Sequence, residues 1–405
     1  MRLKNNSGDQ PQVVCVYGAQ AGVGGLGIQS ANALASIAAG RAQVHAFGPG
    51  RIAAWPLPEN DSNIRWRESP QFISRWSTRY THLRWSHGDL QFKQDSRLGR
   101  WAAAGVAHVQ PALCYVFTQV GLETLRWAKR SGVTTVLESP NGHICNFKEV
   151  YEQESLRWCG TKFKGHPNSK MVERVEEEYQ LADRIRVSSE WSKLSIAAGG
   201  VPPEKIYTLP QPVNLTRFYP REERKKQDGP LRLCFVGSLD LRKGFVYLLR
   251  AIKKVGAHRI SLEIAGATGD RQSRALMERE SEGVMFECAP GDPVPVYHRA
   301  ELFVLPTLED GSPFAAAEAK ACGLPVIVTS SCGAAEGVRQ GETGWVIPAA
   351  DEQALAQALE EALDRRKDLC EMGNLARADV ERDAGPACFT AVQNWLCDEW
   401  QYCNG

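Results

Sequence analysis

Several segments of the sequence place glycine, basic and acidic residues at spacings suited to a phosphorylated ligand. The first, Gly22-Val23-Gly24-Gly25-Leu26-Gly27, satisfies G-x-G-x-x-G behind the apolar run VVCVY. Successive glycines let another molecule approach the backbone, and a helix start behind them offers amide donors. A nicotinamide dinucleotide would need an acidic residue about 20 positions on, to hold the ribose hydroxyl. The next apolar run instead ends His45-Ala46-Phe47-Gly48-Pro49-Gly50. Arg51 suits a phosphorylated ribose, so an NADP-dependent oxidoreductase stays open as an alternative. A P-loop is excluded, because the Lys-Ser/Thr pair that touches phosphate and magnesium is missing.

The second segment joins a strand over 231–236 to Gly237-Ser238-Leu239, with Arg242-Lys243-Gly244 opening the next helix. Lysine is a mobile point charge and arginine a bidentate fork, and both suit a pyrophosphate. In the third, a strand over 302–306 runs into Thr307-Leu308-Glu309-Asp310-Gly311-Ser312-Pro313-Phe314, and a helix follows that carries Glu318. Ligands of open α/β sheets sit beyond the carboxyl ends of the strands. Amides entering the helix can donate to an anion, and Glu318, about one turn in, can accept from a vicinal diol. Each feature also has a plain structural explanation: a tight turn, a helix start with exposed basic residues, or an acidic first turn favoured by the helix dipole.

The elements behind these loops alternate strand and helix. Strands are expected over 11–17, 43–47, 115–118, 134–137, 184–188 and 205–209, and helices over 28–39, 121–131, 170–181 and 191–198. The stretch 218–230, FYPREERKKQDGP, is charged and poor in apolar residues, so it reads as a linker. Beyond it the rhythm restarts, with strands over 231–236, 261–265, 284–287, 302–306 and 325–329 and helices over 245–255, 271–281, 314–321 and 351–366. Two such runs imply an α/β protein of two doubly wound domains facing a cleft.

The chain has 405 residues, is 43% hydrophobic and 23% charged, and carries a net charge of +1. That composition belongs to a globular protein with no global field toward nucleic acid. The polar start and the lack of a long apolar run predict neither a signal peptide nor a spanning helix, and a cytoplasmic location. The twelve cysteines form no CxxC and no zinc spacing, so thiols and no metal site are expected.

Three stretches resemble the retaining glycosyltransferases of the GT-B fold, family 4, the glycosyl transferases group 1. Val236-Gly-Ser-Leu-Asp-Leu-Arg-Lys-Gly244 is similar to the family's phosphate loop. Asp310-Gly-Ser-Pro-Phe-Ala-Ala-Ala-Glu318 with Ala319-Lys-Ala-Cys-Gly-Leu-Pro325 resembles its E-x7-E element and tail. Gly341-Glu-Thr-Gly-Trp-Val-Ile-Pro348 resembles a third conserved segment, and Pro203-Glu-Lys-Ile206, Gln211-Pro-Val-Asn214 and Arg217-Phe218 match the lead-in. The first half matches more loosely, through Gly24-Gly25 and the strand order.

The resemblance implies two Rossmann-like domains, 1–215 for the acceptor and 216–384 for a nucleotide-sugar donor. A last helix over 385–405 would cross back onto the first domain through Phe389 and Trp395. By the same likeness Lys243 contacts the donor diphosphate and Glu318 holds the ribose hydroxyls. Asp310 contacts the donor sugar, Gly311, Ser312, Pro313 and Phe314 line it with amides, and His143 sits beside it. Gly24 and Gly25 let the first domain close on the phosphates, and residues 288–292 meet the base. Two departures stand out: Ser238 replaces the family's arginine, whose contact Arg242 would supply, and Asp310 replaces a glutamate, with Glu309 in adjacent register. The implied function is retaining transfer of a sugar from a nucleotide-diphosphate sugar to a glycan or lipid-linked acceptor, without cofactor or metal. A nucleotide-sugar epimerase of the same fold and a catalytically degenerate nucleotide-sugar-binding protein are the alternatives. The segment 64–101 interleaves Trp66, Trp76, Trp85 and Trp101 with seven arginines. It reads either as packed helices with a basic face or as a peripheral contact with the inner face of a membrane.

Overall fold

The computed structural model describes residues 11–22, 24–39, 42–51, 61–70, 86–163, 165–221, 229–267, 271–289 and 291–385, with 388, 390, 391, 394, 395 and 398. Two all-parallel sheets organise the chain. The first has seven strands: β1 (Gln12–Val16), β2 (Gln43–Gly48), β3 (Ile64–Glu68), β4 (Leu113–Phe117), β5 (Thr134–Glu138), β6 (Arg184–Val187) and β7 (Ile206–Thr208), in the order β3-β2-β1-β4-β5-β6-β7. The second has six: β8 (Leu231–Val236), β9 (Ile260–Ala265), β10 (Phe286–Ala289), β11 (Leu302–Leu305), β12 (Val326–Thr329) and β13 (Gly344–Ile347), in the order β10-β9-β8-β11-β12-β13. Strands such as LFVL and VIVT are apolar throughout because helices cover both faces of a parallel sheet. Strand order reverses between β1 and β4 in one sheet and between β8 and β11 in the other. These switch points open the crevices in which such sheets bind ligands.

The helices that position the site are α1 (Gly24–Ala39), α2 (His87–Val109), α3 (Leu122–Ser131), α4 (Ile144–Cys159), α5 (Ser169–Leu181) and α6 (Glu190–Ala198) in the first unit. The second contributes α7 (Phe245–Val255), α8 (Arg271–Glu280), α9 (Val294–Arg299), α10 (Phe314–Ala321), α11 (Glu352–Asp364) and α12 (Leu369–Asp383). Each unit has its own apolar core. Two expectations need correction. Gly24, Gly25 and Gly27 lie inside α1, not in the turn before it. Phe218 is no linker residue: it is 5% exposed in the second core and meets the Tyr297 ring edge-on at 6.1 Å. The charged residues flanking it masked its apolar role.

The chain passes between the units twice, and the passages are stitched together. Val213 N donates to Ala384 O at 2.9 Å, and Cys388 Sγ lies 3.1 Å from Pro210 O. Trp395 packs on the first core, with its ring 5.5 Å from that of Tyr207. Phe389 lies outside the described residues.

Of the segment 64–101, residues 64–68 form the edge strand β3 and residues 87–101 belong to α2. Trp66 stands on the edge strand β3 with the Arg51 guanidinium 4.9 Å above its ring, and Trp101 on α2 meets Phe47 at 5.5 Å. Both rings are used in packing the first unit. Trp76, Trp85, Arg75, Arg79 and Arg84 lie outside the described residues. Among the described residues no helix is long and apolar enough to cross a membrane. Cys15, Cys114 and Cys332 are buried thiols.

Candidate active site

The loops after β8 and β11 meet at the second switch point. Asp240 accepts from Lys243 N at 3.1 Å and so starts the 3-10 turn Leu241–Lys243. Gly244 ends that turn at φ 71°, and a Cβ there would lie 1.9 Å from Pro306 O. Only glycine lets the two loops approach so closely. The carbonyl of Arg242 then accepts from Leu308 N at 2.7 Å and Thr307 Oγ1 at 3.1 Å. These contacts place Arg242 and Lys243 against Glu309 and Asp310.

Lys243 Nζ is paired with Asp310 Oδ2. Arg242 Nη1 donates to Glu309 O at 2.5 Å and lies 3.3 Å from Glu309 Oε2 and 3.8 Å from Asp310 Oδ2. All four side chains are nearly buried, with 0% to 14% exposed. Burial works against ionised Asp310, yet the Lys243 and Arg242 cations hold its carboxyl below the usual range. Burial raises Glu309 more than Arg242 lowers it. Burial likewise disfavours the Arg242 cation, but the Asp310 and Glu309 carboxylates reverse that and raise it. The sequence correctly brings these four residues together but gives no sign that they neutralise one another. Ser238 is exposed, and its hydroxyl lies 2.5 Å from Asp240 Oδ2.

The start of α10 faces the start of α1 across the cleft. A Cβ on Gly25 would sit 3.9 Å from Phe314 Cδ2, and one on Gly24 would meet nothing within 4 Å. Gly311 touches the first unit: a Cβ there would lie 2.0 Å from Pro140 O, and Ser189 Oγ donates to Gly311 O at 2.5 Å. Ser312 and Pro313 continue from it into Phe314, the first residue of α10. One turn on, Glu318 Oε2 lies 3.0 Å from the Tyr297 hydroxyl of α9, and burial pushes the carboxyl up to about 7.

His143 has a local role that spacing did not reveal. It is the N-cap of α4, with Nδ1 accepting from Cys145 N at 3.3 Å. Its ring lies 5.4 Å from that of Tyr179, and burial holds its pKa down despite Glu176 nearby.

Helix α4 is the site element that the apolar patterning does not reveal. Phe147 lies under the Arg242 guanidinium at 5.0 Å, and the charges of Asp240 and Arg242 both act on the Tyr151 hydroxyl. Glu154 accepts from the Tyr247 hydroxyl at 2.8 Å, and Trp158 lies under Arg250 at 4.2 Å. Phe147, Tyr151, Glu154 and Trp158 recur at helical spacing, a period that marks one face turned to a partner. Among the described residues no three His, Cys, Asp or Glu side chains converge as a metal set.

Residues 230–365 match the family model described as glycosyl transferases group 1. The putative colanic acid biosynthesis glycosyltransferase WcaL of Salmonella typhimurium is 32% identical over 202 residues, 45% of this chain and 49% of that protein. A GDP-mannose-dependent alpha-(1-6)-phosphatidylinositol monomannoside mannosyltransferase of Mycolicibacterium smegmatis is 28% identical over 298 residues, 68% of this chain and 69% of its own length. The match to WcaL thus spans about half of that relative. Among solved structures, the sucrose-phosphate synthase of Thermosynechococcus elongatus superposes with a TM-score of 0.75 at 18% identity, over 97% of this chain and 99% of that one. WaaG, a glycosyltransferase involved in lipopolysaccharide biosynthesis, does so with 0.67 at 17% identity, over 96% and 99%. Two facing parallel sheets, a charged loop pair at the second switch point and the matched C-terminal segment lead to one assignment: the chain has the GT-B fold, and its residues 230–365 match the glycosyl transferases group 1.

Proposed function

We propose that this protein is a retaining hexosyltransferase of family 4, taking its sugar from a nucleoside-diphosphate sugar and passing it to a glycan or lipid-linked acceptor. The observation that carries the reading is the buried Arg242/Lys243 pair beside Glu309 and Asp310, with Glu318 one turn into the helix that follows. Cations at a strand end and amides at the start of α10 suit a diphosphate, while an acceptor-only carboxylate suits a ribose diol. The mycobacterial relative is GDP-mannose-dependent, and Anabaena HepE, a match in fold, forms a complex with UDP-glucose; both support a nucleotide sugar as donor.

In this reading residues 1–215 present the acceptor and 216–384 the donor, with Gly24 and Gly25 closing on the phosphates. The acceptor hydroxyl oxygen forms a bond to the anomeric carbon on the face from which the diphosphate leaves. The carbon–oxygen bond to phosphate breaks, and the acceptor's proton passes to the departing phosphate oxygen. Lys243 and Arg242 stabilise the charge that grows there. Asp310, Gly311, Ser312, Pro313 and Phe314 orient the sugar, with His143 at the edge of the first unit. No pair of carboxylates flanking the bond is needed, in contrast to glycoside hydrolases.

The deciding experiment is calorimetric titration with UDP, GDP, ADP and NADPH, with Glu318→Ala as control. Selective binding of one nucleoside diphosphate, lost in Glu318→Ala, supports the proposal and identifies the base. Binding of NADPH alone moves the site to 22–27 and sinks it. A second reading, donor binding without transfer, is favoured by the pairing of Lys243 with Asp310, which occupies the cation assigned to phosphate. It requires a protein that binds the donor yet neither transfers nor hydrolyses it.

A further inference from the structure

The side chain of Glu309 faces both units. It is 0% exposed. One carboxylate oxygen, Oε1, accepts from Gly142 N of the first unit at 3.0 Å, across 167 residues of sequence. The other, Oε2, lies 3.3 Å from Arg242 Nη1 of the second. Arg242 in turn rests on the Phe147 ring of α4 at 5.0 Å. The amide that Glu309 holds belongs to the residue just before His143, the cap of α4. Other contacts join the units: Glu336 accepts from Glu190 N at 3.1 Å and Trp191 N at 2.6 Å, and Ser189 donates to Gly311 O. Those side chains do not touch the cation pair.

We infer that Glu309 is the positioning residue that ties the 139–143 loop of the first unit to the Arg242/Lys243 pair of the second, so that the cleft closes through its carboxylate. The physical reason is the cost of a buried carboxylate. Partners on both oxygens offset part of that cost, and a bare oxygen adds to it. Opening the cleft removes the Gly142 amide and must admit water to Oε1. Closing returns the amide and sets His143 and the start of α4 at a fixed place beside the cations. A donor diphosphate that draws on Arg242 and Lys243 therefore acts on the same side chain that holds the first unit.

The test uses the full chain. Small-angle scattering is recorded without substrate on wild type, Glu309→Ala and Glu309→Gln, with thermal unfolding to verify folding. Glu309→Ala should show a larger radius of gyration than wild type. Glu309→Gln, which keeps an acceptor oxygen for Gly142, should return toward the wild-type value. Equal radii for all three overturn the inference. Should Glu309→Ala not fold, amide exchange on the wild type decides: a Gly142 amide exchanging as fast as in an unfolded peptide overturns it, and protection supports it. In kinetics, which rest on the transferase reading, Glu309→Ala should lower kcat about tenfold or more while nucleoside-diphosphate affinity stays within about threefold. Equal losses in both would make Glu309 a plain donor ligand and overturn positioning. A wild type that transfers nothing sinks the transferase reading and leaves the scattering and exchange outcomes intact.

Discussion

The Tyr297 hydroxyl lies 3.0 Å from Oε2 of Glu318, and both side chains are buried. The carboxyl stays protonated up to about 7, above its ordinary 4.5, because burial outweighs the Tyr297 hydrogen bond. The folded chain therefore holds a proton that the unfolded chain releases near 4.5, so stability falls as pH rises from about 4.5 to about 7. Asp95 and Glu178, also pushed up to about 7 by burial, contribute in the same direction. Glu318→Gln should flatten part of this slope, measured as the urea midpoint against pH. Ionised Glu318 accepts two hydroxyls and the protonated acid does not, so affinity for a nucleoside-diphosphate sugar should rise through about pH 7. In Glu318→Gln that rise should vanish.

Lys243 and Asp310 should respond in opposite directions. Lys243→Ala removes a charge-assisted partner of the diphosphate and should weaken nucleoside-diphosphate binding by about 1.5–3 kcal/mol. Asp310→Asn leaves Lys243 without its internal counter-charge and should tighten binding of the same ligand while lowering kcat. Calorimetry and initial rates on both variants give the comparison. An Asp310→Asn variant that binds no tighter than wild type would show that the pair does not compete with phosphate.

Gly311→Ala places a Cβ 2.0 Å from Pro140 O, an overlap that backbone atoms can relieve only by moving apart. The second unit keeps its own core, so nucleoside-diphosphate binding should survive. Transfer should fall by about an order of magnitude or more, because the reacting groups sit on both sides of the gap. Rates near wild type would show that the cleft works at a wider separation.

A chain ended at residue 384 loses Cys388 from Pro210 and Trp395 from Tyr207. Its thermal midpoint should drop and its activity should fall, measured by calorimetry and initial rates. A truncated chain as stable and active as the full one would show that these contacts contribute nothing.

Much of the fold was legible because parallel strands buried on both faces leave unbroken apolar runs, as in LRLCFV and VIVT. Helix α1 starts earlier than its sequence suggests because Gly24 and Gly25 read as turn residues although they lie in its first turn. Helix α4 is hard to read from the sequence because its interface mixes Phe147 and Tyr151 with Glu154, so its stripe is apolar only in part. Lys243, Asp310 and Glu318 were legible because strand ends fix where such residues stand. The bond from Gly142 to Glu309 was not, since no spacing rule records which carboxylate meets a backbone amide 167 residues away.

The double passage of the chain near Pro210 and Ala384 bears on how the two halves can travel. One covalent thread would act as a swivel, free to twist and to bend in any direction. Two threads side by side, joined by the Val213–Ala384 and Cys388–Pro210 bonds, act as the pins of a door. Rotation about the line through them remains soft, whereas torsion across it strains both threads. Each swing should therefore bring Gly25 back toward Phe314 along the same arc, which gives the cleft a repeatable stroke.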